Sequence, residues 1–581
     1  LTMNHAHSKI IFDIEADGLH PTIVWCIVAK ELDGPIHKFD NTQIDEGIKF
    51  LESADVLIGH NIIGYDIPVL EKLHGAKLTQ QLEDTLVMSR LFNPVRENGH
   101  SLKTWGYRVN CAKQEQPENF DEYTPAMLEY CAQDVILNEV VYKHLLNEGN
   151  SFSPECVSLE HKVAFIMKEQ EKTGFYFDSQ QAMTLLAELK AKQLEVEQEV
   201  HDTFKPKWVD DKVVVPYVKK DGQLSKRGLT DEEYENCLTT NSTDKFFRKK
   251  LVDFNLGSRK QIGEYLIDFG WKPNRFTPTG QPIVDEGTLK KISHIKEAKL
   301  IADFLLYQKR IAQITSWIDN LKDDRVHGGV IPNGTITGRM THRSPNMAQV
   351  PNAGSPYGKE CRACWSVPEG YKLVGIDASG LELRMLAHYM NDDKYINEVI
   401  NGDIHTTNQT LAGLKTRDQA KTFIYALIYG AGDAKIGSVA GGSKKKGHEL
   451  KETFFTNLPA LKILKDKVQQ ASRRGFLKGL DGRKIFIRSQ HAALNSLLQG
   501  GGAIVMKKAM CILEDSLKLN AVDAKFVANI HDEWQIQVKE TQSDFVGELG
   551  VRAIEEASKH FNMRCPLTGE YKIGSNWSET H

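Results

Sequence analysis

The sequence predicts a multidomain protein of mixed α/β and α+β class. Three observations carry that expectation. At 581 residues the chain is too long for one hydrophobic core, so roughly three or four domains are expected. The first 150 residues alternate short apolar strands (KIIFDIEA, IVWCIVAK, VLIGHN) with helical segments, as an α/β layer does. Far downstream, KLVGIDASGLELRMLAHYM reads as strand, tight turn and helix. FVANIHDEWQIQV reads as a strand or hairpin with charges at its middle.

Between these landmarks the pattern is helical. Residues 151–204 place apolar residues at helical spacing among Glu and Lys. Residues 205–255, beginning KPKWVDDKVVVPYVKKDGQLSKRGL, turn polar, basic and rich in turn formers. An excursion of about 50 residues is too long for an ordinary connection. Helical pattern returns from 257 to 322 and again from 390 to 480, and no repeat or low-complexity tract interrupts it.

Composition bounds the function loosely. Apolar content of 41% and charged content of 26% are ordinary for a globular protein, and a net charge of −4 does not by itself point to nucleic acid. A local basic groove remains compatible with that total. Nine scattered cysteines read as a reducing compartment. Cys361 and Cys364 stand alone as a pair, which suits unpaired thiols better than zinc. No apolar run has membrane-spanning length, and LTMNHAHSKIIF lacks the order of a signal peptide. A cytoplasmic location is expected, and Leu1 and Thr2 before Met3 read as a cloning remnant.

The first chemistry lies in IFDIEADGL. Strand alternation puts Asp13 and Glu15 on one face. Adjacent carboxylates repel unless a cation lies between them. LIGHNIIGYD adds Asp66 after a strand and turn, and YCAQDV places Tyr130 and Asp134 one helical turn apart. Four such carboxylates suit a pair of Mg²⁺ ions in phosphodiester hydrolysis, against the plain alternative of solvated acids. Asp17 is expected to be a solvated turn residue.

A second set begins with Asp377 at the end of an apolar strand in GIDASGLELR. Asp532 and Glu533 stand in IHDEWQI, where a buried charge is costly unless paired or metal-bound. Between them, Arg417, Lys421, Tyr425 and Tyr429 recur every four residues. Two cations followed by two aromatic rings suit a nucleoside triphosphate, phosphates on the cations and sugar and base on the rings. A basic amphipathic helix with core tyrosines is the alternative. His405 in GDIHT offers a further phosphate donor.

At this point a family resemblance covers nearly the whole chain. The order DxE, N…YD, YxxxD resembles DEDD-type 3′–5′ exonucleases of the subgroup with Tyr in the third motif. DASGLELR, RDQAKTFIYALIYGAG and HDE resemble motifs A, B and C of family A DNA polymerases. GTITGRMTHRSPNMAQVPN resembles the family's primer–template grip. The wording is most similar to the replicative polymerases of short-tailed, T-odd-type phages.

The resemblance implies an RNase H-like DEDDy exonuclease domain (1–150), then a right-hand polymerase. Residues 151–325 would form the thumb and connecting helices, with an insert at about 205–255. Residues 326–410 and 491–581 would form the palm and 411–490 the fingers. Asp377, Ala378 and Asp532 would hold two Mg²⁺ ions in the polymerase site. Asp13, Glu15, Asp66 and Asp134 would hold two more in the exonuclease site, with Mn²⁺ able to substitute. Tyr130 would orient the attacking water. Arg417, Lys421 and His405 would clamp phosphates, Tyr425 and Tyr429 would face the nucleotide, and Glu382 would be the steric gate against a 2′-OH. Arg339 and Gln499 would read minor-groove acceptors, Asn495 and His531 would touch primer–template, and Glu533 would be auxiliary.

Primer–template DNA and dNTPs are thus the implied partners, with helicase-primase or single-strand-binding protein as replisome partners, no membrane, and a monomeric chain. The phage relatives recruit host thioredoxin through a thumb insert. Residues 205–255 occupy that place but are shorter and lack a long cationic tract, so thioredoxin is not expected. DNA contact by a small β-hairpin through Lys219, Lys220, Lys226 and Arg227 is the reading, with a structural excursion as the alternative. Gly500, Gly501 and Gly502 fall in an expected helix, where they cost stability unless something approaches closely. A single-subunit RNA polymerase, a non-catalytic DNA-binding protein and a gap-filling repair enzyme are the rival readings. Glu382, the two carboxylate sets and the absence of a 5′-nuclease motif set weigh against them.

Overall fold

Five strands in the order Ile36–Phe39, Val24–Glu31, Lys9–Ala16, Val56–Gly59 and Gln81–Asp84 form the first sheet of the computed structural model. The model describes residues 8–117 and 119–581. Leu1 and Thr2, read as a remnant, lie outside the described residues. Lys9–Ala16 is central, antiparallel to Val24–Glu31 and parallel to Val56–Gly59. Its Ile11, Phe12 and Ile14 are buried, which fixes the register and leaves Asp13 and Glu15 on a shared, half-buried face. The helix Pro125–Gly149 packs over this sheet. It starts cleanly because Thr124 caps it and Pro125 occupies its first turn.

Contacts divide the chain into two units, Leu1–Asp178 with Asn320–His581, and Ser179–Asp319. The helix Pro154–Thr173 belongs to the first unit, so the segment expected to open at residue 151 separates only at 179. A buried charge cluster fastens this helix. Glu160 accepts from Arg483 Nη1 at 2.5 Å and Lys507 Nζ at 2.6 Å, while Asp481 holds the other side of Arg483. Its neighbour His161 accepts the N–H of Asp84 at 2.8 Å in the first sheet.

The second sheet has the order Ala524–Ile530, Glu533–Lys539, Tyr371–Ala378, Gly569–Gly574, with every pairing antiparallel. The helices Ala493–Leu519 and Ser543–His560 belong to the same core. The three glycines of Ala493–Leu519 are buried. A Cβ on Gly500 would lie 2.6 Å from Ile485 Cδ1, and one on Gly501 2.4 Å from Met385 Cε. Close approach of neighbouring side chains accounts for them.

The other unit pairs the helix Ser179–Thr203 with Lys296–Asp319 around Phe204, Phe254, Tyr265 and Trp271. Residues 205–255 form a hairpin, Lys207–Val214 against Phe246–Val252, enclosing the helix Asp231–Thr240. Lys226 Nζ is paired with Asp231 at 2.5 Å. Trp208, Val213, Phe247 and Leu251 are exposed on this hairpin.

Cys361 and Cys364 are buried and form no disulfide. Among the described residues no helix is long and apolar enough to cross a membrane.

Candidate functional site

Two carboxylate clusters lie in the first unit. In the first, Asp66 opens the helix Asp66–His74 and accepts the N–H of Ile14 at 3.2 Å, which draws it to the strand bearing Asp13 and Glu15. Tyr130 and Asp134, both buried, lie one turn apart on Pro125–Gly149. Burial, then the charges of Asp66, Glu15 and Asp134, push the Asp13 carboxyl well above its ordinary range. Burial and Asp134 raise Glu15 to about 8, and burial raises Asp66 to about 7. So many acids together with raised affinity for protons form a site short of positive charge.

Oδ1 of Asp134 is buried without a hydrogen-bond partner, as expected of an oxygen reserved for a cation. Cys131 is close enough to Asp13 and Glu15 to share an ion. Its thiol donates to the Asp13 main-chain oxygen at 3.3 Å, and burial holds it protonated. The oxygen-rich set therefore suits a hard divalent cation.

Sequence reasoning missed Lys113. Its Nζ meets Asp134 Oδ2 at 2.5 Å and lies 4.7 Å from the centre of the Tyr130 ring. No local pattern announces a lysine that reaches the site from a loop. Asp17, in contrast, behaves as a turn residue, accepting from Thr22 N at 2.7 Å.

The second cluster is set by strand register. Asp377 lies opposite Glu533, and Ala378 N–H donates to the Asp532 main-chain oxygen at 3.2 Å. Of the two readings of this segment, strand or hairpin, the hairpin is the one formed: Asp532 lies in the two-residue turn with His531, whose φ is 57°, between Ala524–Ile530 and Glu533–Lys539. The turn brings the carboxylate to the end of the strand carrying Asp377 without burying it mid-strand. Burial, then Asp532, raises Asp377 to about 7, and burial, then Glu382, raises Asp532 to about 6.

Asp377 Oδ1 is buried and unpartnered. Glu533 is the opposite case. Burial would raise it, but Trp577 Nε1 (2.6 Å), Gln535 Nε2 (2.5 Å) and His581 Nδ1 (2.7 Å) surround it and bring it below its usual range. Glu533 is a structural anion and Asp377 an available one.

Thr416 caps the helix Arg417–Ile428. Arg417 Nε meets Asp403 Oδ2 at 2.7 Å, and Asp403 in turn caps the helix carrying His405. Lys421 is exposed, with no hydrogen bond or ion pair among the described residues. The His405 and Tyr425 rings stand 6.2 Å apart, and Nδ1 of His405 is buried and unpartnered. Burial and the neighbouring cations Arg417 and Lys421 push this imidazole down, against the opposing charge of Asp403. Tyr425 senses both Glu382 and Asp532, which places this helix face beside the carboxylates.

Tyr429 ends the helix, and its hydroxyl donates to Glu382. Arg339 also reaches Glu382, at 3.5 Å. Asn495 Nδ2 donates to the Ile428 carbonyl at 2.9 Å, so this amide, expected on primer–template, ties down the end of Arg417–Ile428. Gln499 lies one turn further along Ala493–Leu519 and is half-buried.

Comparison with known proteins bears on the family and the fold. The family model for DNA polymerase family A matches residues 230–579. The DNA-directed DNA polymerase of Enterobacteria phage T3 is 33% identical over 98% of this chain and 100% of its own length. That of Escherichia phage T7 is 33% identical over 90% of this chain and 92% of its own. The solved POL domain of Pol1 from M. smegmatis, in complex with DNA primer-template and dNTP, matches the fold with a TM-score of 0.78. That likeness covers 99% of this chain and 96% of that one at 17% identity. The chain therefore belongs to DNA polymerase family A, near its T7-like phage members.

Proposed function

We propose that the chain is a template-directed DNA polymerase that adds dNMPs to a primer 3′-OH and proofreads with a separate 3′–5′ exonuclease site in phage-type replication. The carrying observation is Asp377, with its orphaned oxygen, beside Asp532 and the cationic face of Arg417–Ile428. Primer–template DNA and dNTPs are the substrates this face fits, and the complex of the M. smegmatis neighbour supports that reading.

Two Mg²⁺ ions, or Mn²⁺ in their place, would be held by Asp377, Asp532 and the main-chain oxygen of Ala378. Two more would be held by Asp13, Glu15, Asp66 and Asp134. Bound there, such ions supply an acidified attacking hydroxyl or water and a counter-charge for phosphate.

The chain's own groups do the rest. Arg417, Lys421 and His405 present donors to the triphosphate. Glu382, braced by Tyr429 and Arg339, closes the space where a 2′-OH would sit. Arg339, while still reaching Glu382, would offer its other donors to a minor-groove acceptor, which every correct base pair presents. Gln499 would read the same groove, with Asn495 and His531 near the primer–template. In the other cluster Tyr130 orients water against the scissile phosphate, and Lys113 fixes Asp134. Helicase-primase or single-strand-binding protein are the replisome partners of a monomeric enzyme acting in the host cytoplasm.

The test separates the two clusters. Asp13→Ala with Glu15→Ala should abolish 3′ trimming and leave extension intact. Asp377→Ala or Asp532→Ala should cost several orders of magnitude in extension while DNA binding survives, as loss of transition-state contacts does. A folded Asp13/Glu15 variant that cannot extend, or an Asp377 variant with normal turnover, refutes the assignment.

A further inference from the structure

A polar cavity of about 110 Å³ lies in the first unit between the loop Asn61–Gly64, the helix Thr85–Phe92 and the hairpin strands Gly329–Ile331 and Thr341–Arg343. It is far larger than the roughly 10–15 Å³ that admits one water. Its wall carries three cations, Arg90, Lys168 and Arg343, and two acids, Asp84 and Glu171.

The acids are already engaged. Asp84 Oδ1 accepts the N–H groups of Asn61 and Leu86 at 2.9 Å, and its Oδ2 accepts that of Ile63 at 3.1 Å. Glu171 is 3.6 Å from Lys168 Nζ. The guanidinium groups of Arg90 and Arg343 make no hydrogen bond or ion pair among the described residues. Arg90 is half-buried, and burial together with the Arg343 charge lowers its affinity for its proton, although Asp84 opposes this. Two neighbouring guanidinium groups without an acceptor, in a cavity with room for one, are built for a tetrahedral anion.

The position of the cavity says which anion. Its loop Asn61–Gly64 leads directly into Asp66, one of the trimming carboxylates. We propose that Arg90 and Arg343 clamp a phosphodiester of the unpaired primer strand as its 3′ end enters the Asp13–Asp66 cluster. This inference rests on the proofreading reading, and its test avoids cleavage so that the two can fail separately.

Binding of a labelled single-stranded oligothymidylate is measured by anisotropy in EDTA, between 50 and 200 mM salt. The proteins are the full chain and its Arg90→Ala, Arg90→Lys and Arg343→Ala variants. One lost phosphate contact on a single strand flattens the log–log salt slope by about 0.7. Arg90→Ala should show that loss with roughly tenfold weaker binding, and Arg90→Lys should keep the slope but lose affinity. Arg343 is exposed, so Arg343→Ala tests the same clamp without threatening the fold. Unchanged affinity and slope in both alanine variants overturn the proposal.

Inorganic phosphate is the control for a free anion. If phosphate raises the melting temperature of the native chain but not of Arg90→Ala, while oligonucleotide binding is equal in both, the strand assignment is wrong. Arg90-dependent binding in a protein that never trims upholds the cavity and removes only the proofreading reading.

Discussion

The phenol hydroxyl of Tyr429 donates to Oε1 of Glu382 across 2.9 Å. Burial and the Glu382 charge push Tyr429 up to about 12, so it remains a donor at any working pH. Arg339 supports the same carboxylate. The proposed sugar gate is thus a fixed wall, held by one residue from the end of Arg417–Ile428 and one from residues 333–343.

Removing the phenol should loosen that wall. A hydrogen bond to a charged group is worth roughly 1.5–3 kcal/mol. Arg339 keeps part of the restraint, so Tyr429→Phe should lower discrimination against ribonucleotides by about tenfold. The measurement is the ratio of kcat/KM for dNTP and rNTP in both proteins. An unchanged ratio would mean that Glu382 does not depend on Tyr429 for its position.

The cluster of Asp13, Glu15, Asp66 and Asp134 should leave a pH signature on stability in EDTA. Glu15 is held near 8 and Asp66 near 7 in the folded chain, above their ordinary values of 4.5 and 3.8. Between those limits the folded state binds more protons than the unfolded one, so stability falls as pH rises. The contribution is complete below the ordinary carboxylate range and gone once pH passes about 8. Glu15→Gln should flatten the melting temperature between pH 6 and 8, and Mg²⁺ should raise it most at the alkaline end in the native chain. A melting temperature equally steep in the variant would place the effect elsewhere.

The hairpin insert gives a third test. Lys226 is committed to Asp231, which leaves Lys219, Lys220 and Arg227 without a side-chain partner among the described residues. If these touch duplex DNA, neutralising all three should reduce the salt slope of binding by up to about 0.9 per contact and shorten products on a long template. An unchanged slope would turn attention to the exposed row Trp208, Val213, Phe247 and Leu251, which suits a protein partner better than phosphate.

What the sequence made legible was local. Alternation alone placed Asp13 and Glu15 on one face, and spacing of four put Tyr130 with Asp134 and Arg417 with Lys421, because strand and helix periods are fixed by the backbone. Contacts set by tertiary approach were hidden. The sequence leaves open whether Asp532 stands within a strand or at a hairpin turn, since a two-residue turn with His531 at positive φ carries no glycine to mark it. Asn495 caps a helix 67 residues away, and Lys113 reaches Asp134 from a loop. The triple glycine was visible, but its reason, the proximity of Ile485 and Met385, was not.

Tyr425 carries the last prediction. It stands one turn after Lys421, half-buried, with the His405 ring 6.2 Å away and the charges of Glu382 and Asp532 in range. On the proposed reading, a phenol hydroxyl there would face the sugar of an incoming nucleotide whose phosphates would lie on Lys421 and Arg417. It can replace the hydrogen bond that the nucleotide's own 3′-OH would give a phosphate oxygen. A chain terminator lacking that hydroxyl should then cost the native enzyme little. With Phe at the position, the phosphate oxygen loses its partner, at roughly 1.5–3 kcal/mol, or about one to two powers of ten. Tyr425→Phe should therefore discriminate against dideoxynucleotides by that factor, with ordinary synthesis almost unchanged. The comparison uses kcat/KM ratios for dideoxy and deoxy substrates in an Asp13→Ala, Glu15→Ala background, so that trimming does not conceal termination. Equal ratios in the Tyr and Phe proteins would remove Tyr425 from the sugar and with it the placement of the triphosphate on this helix face.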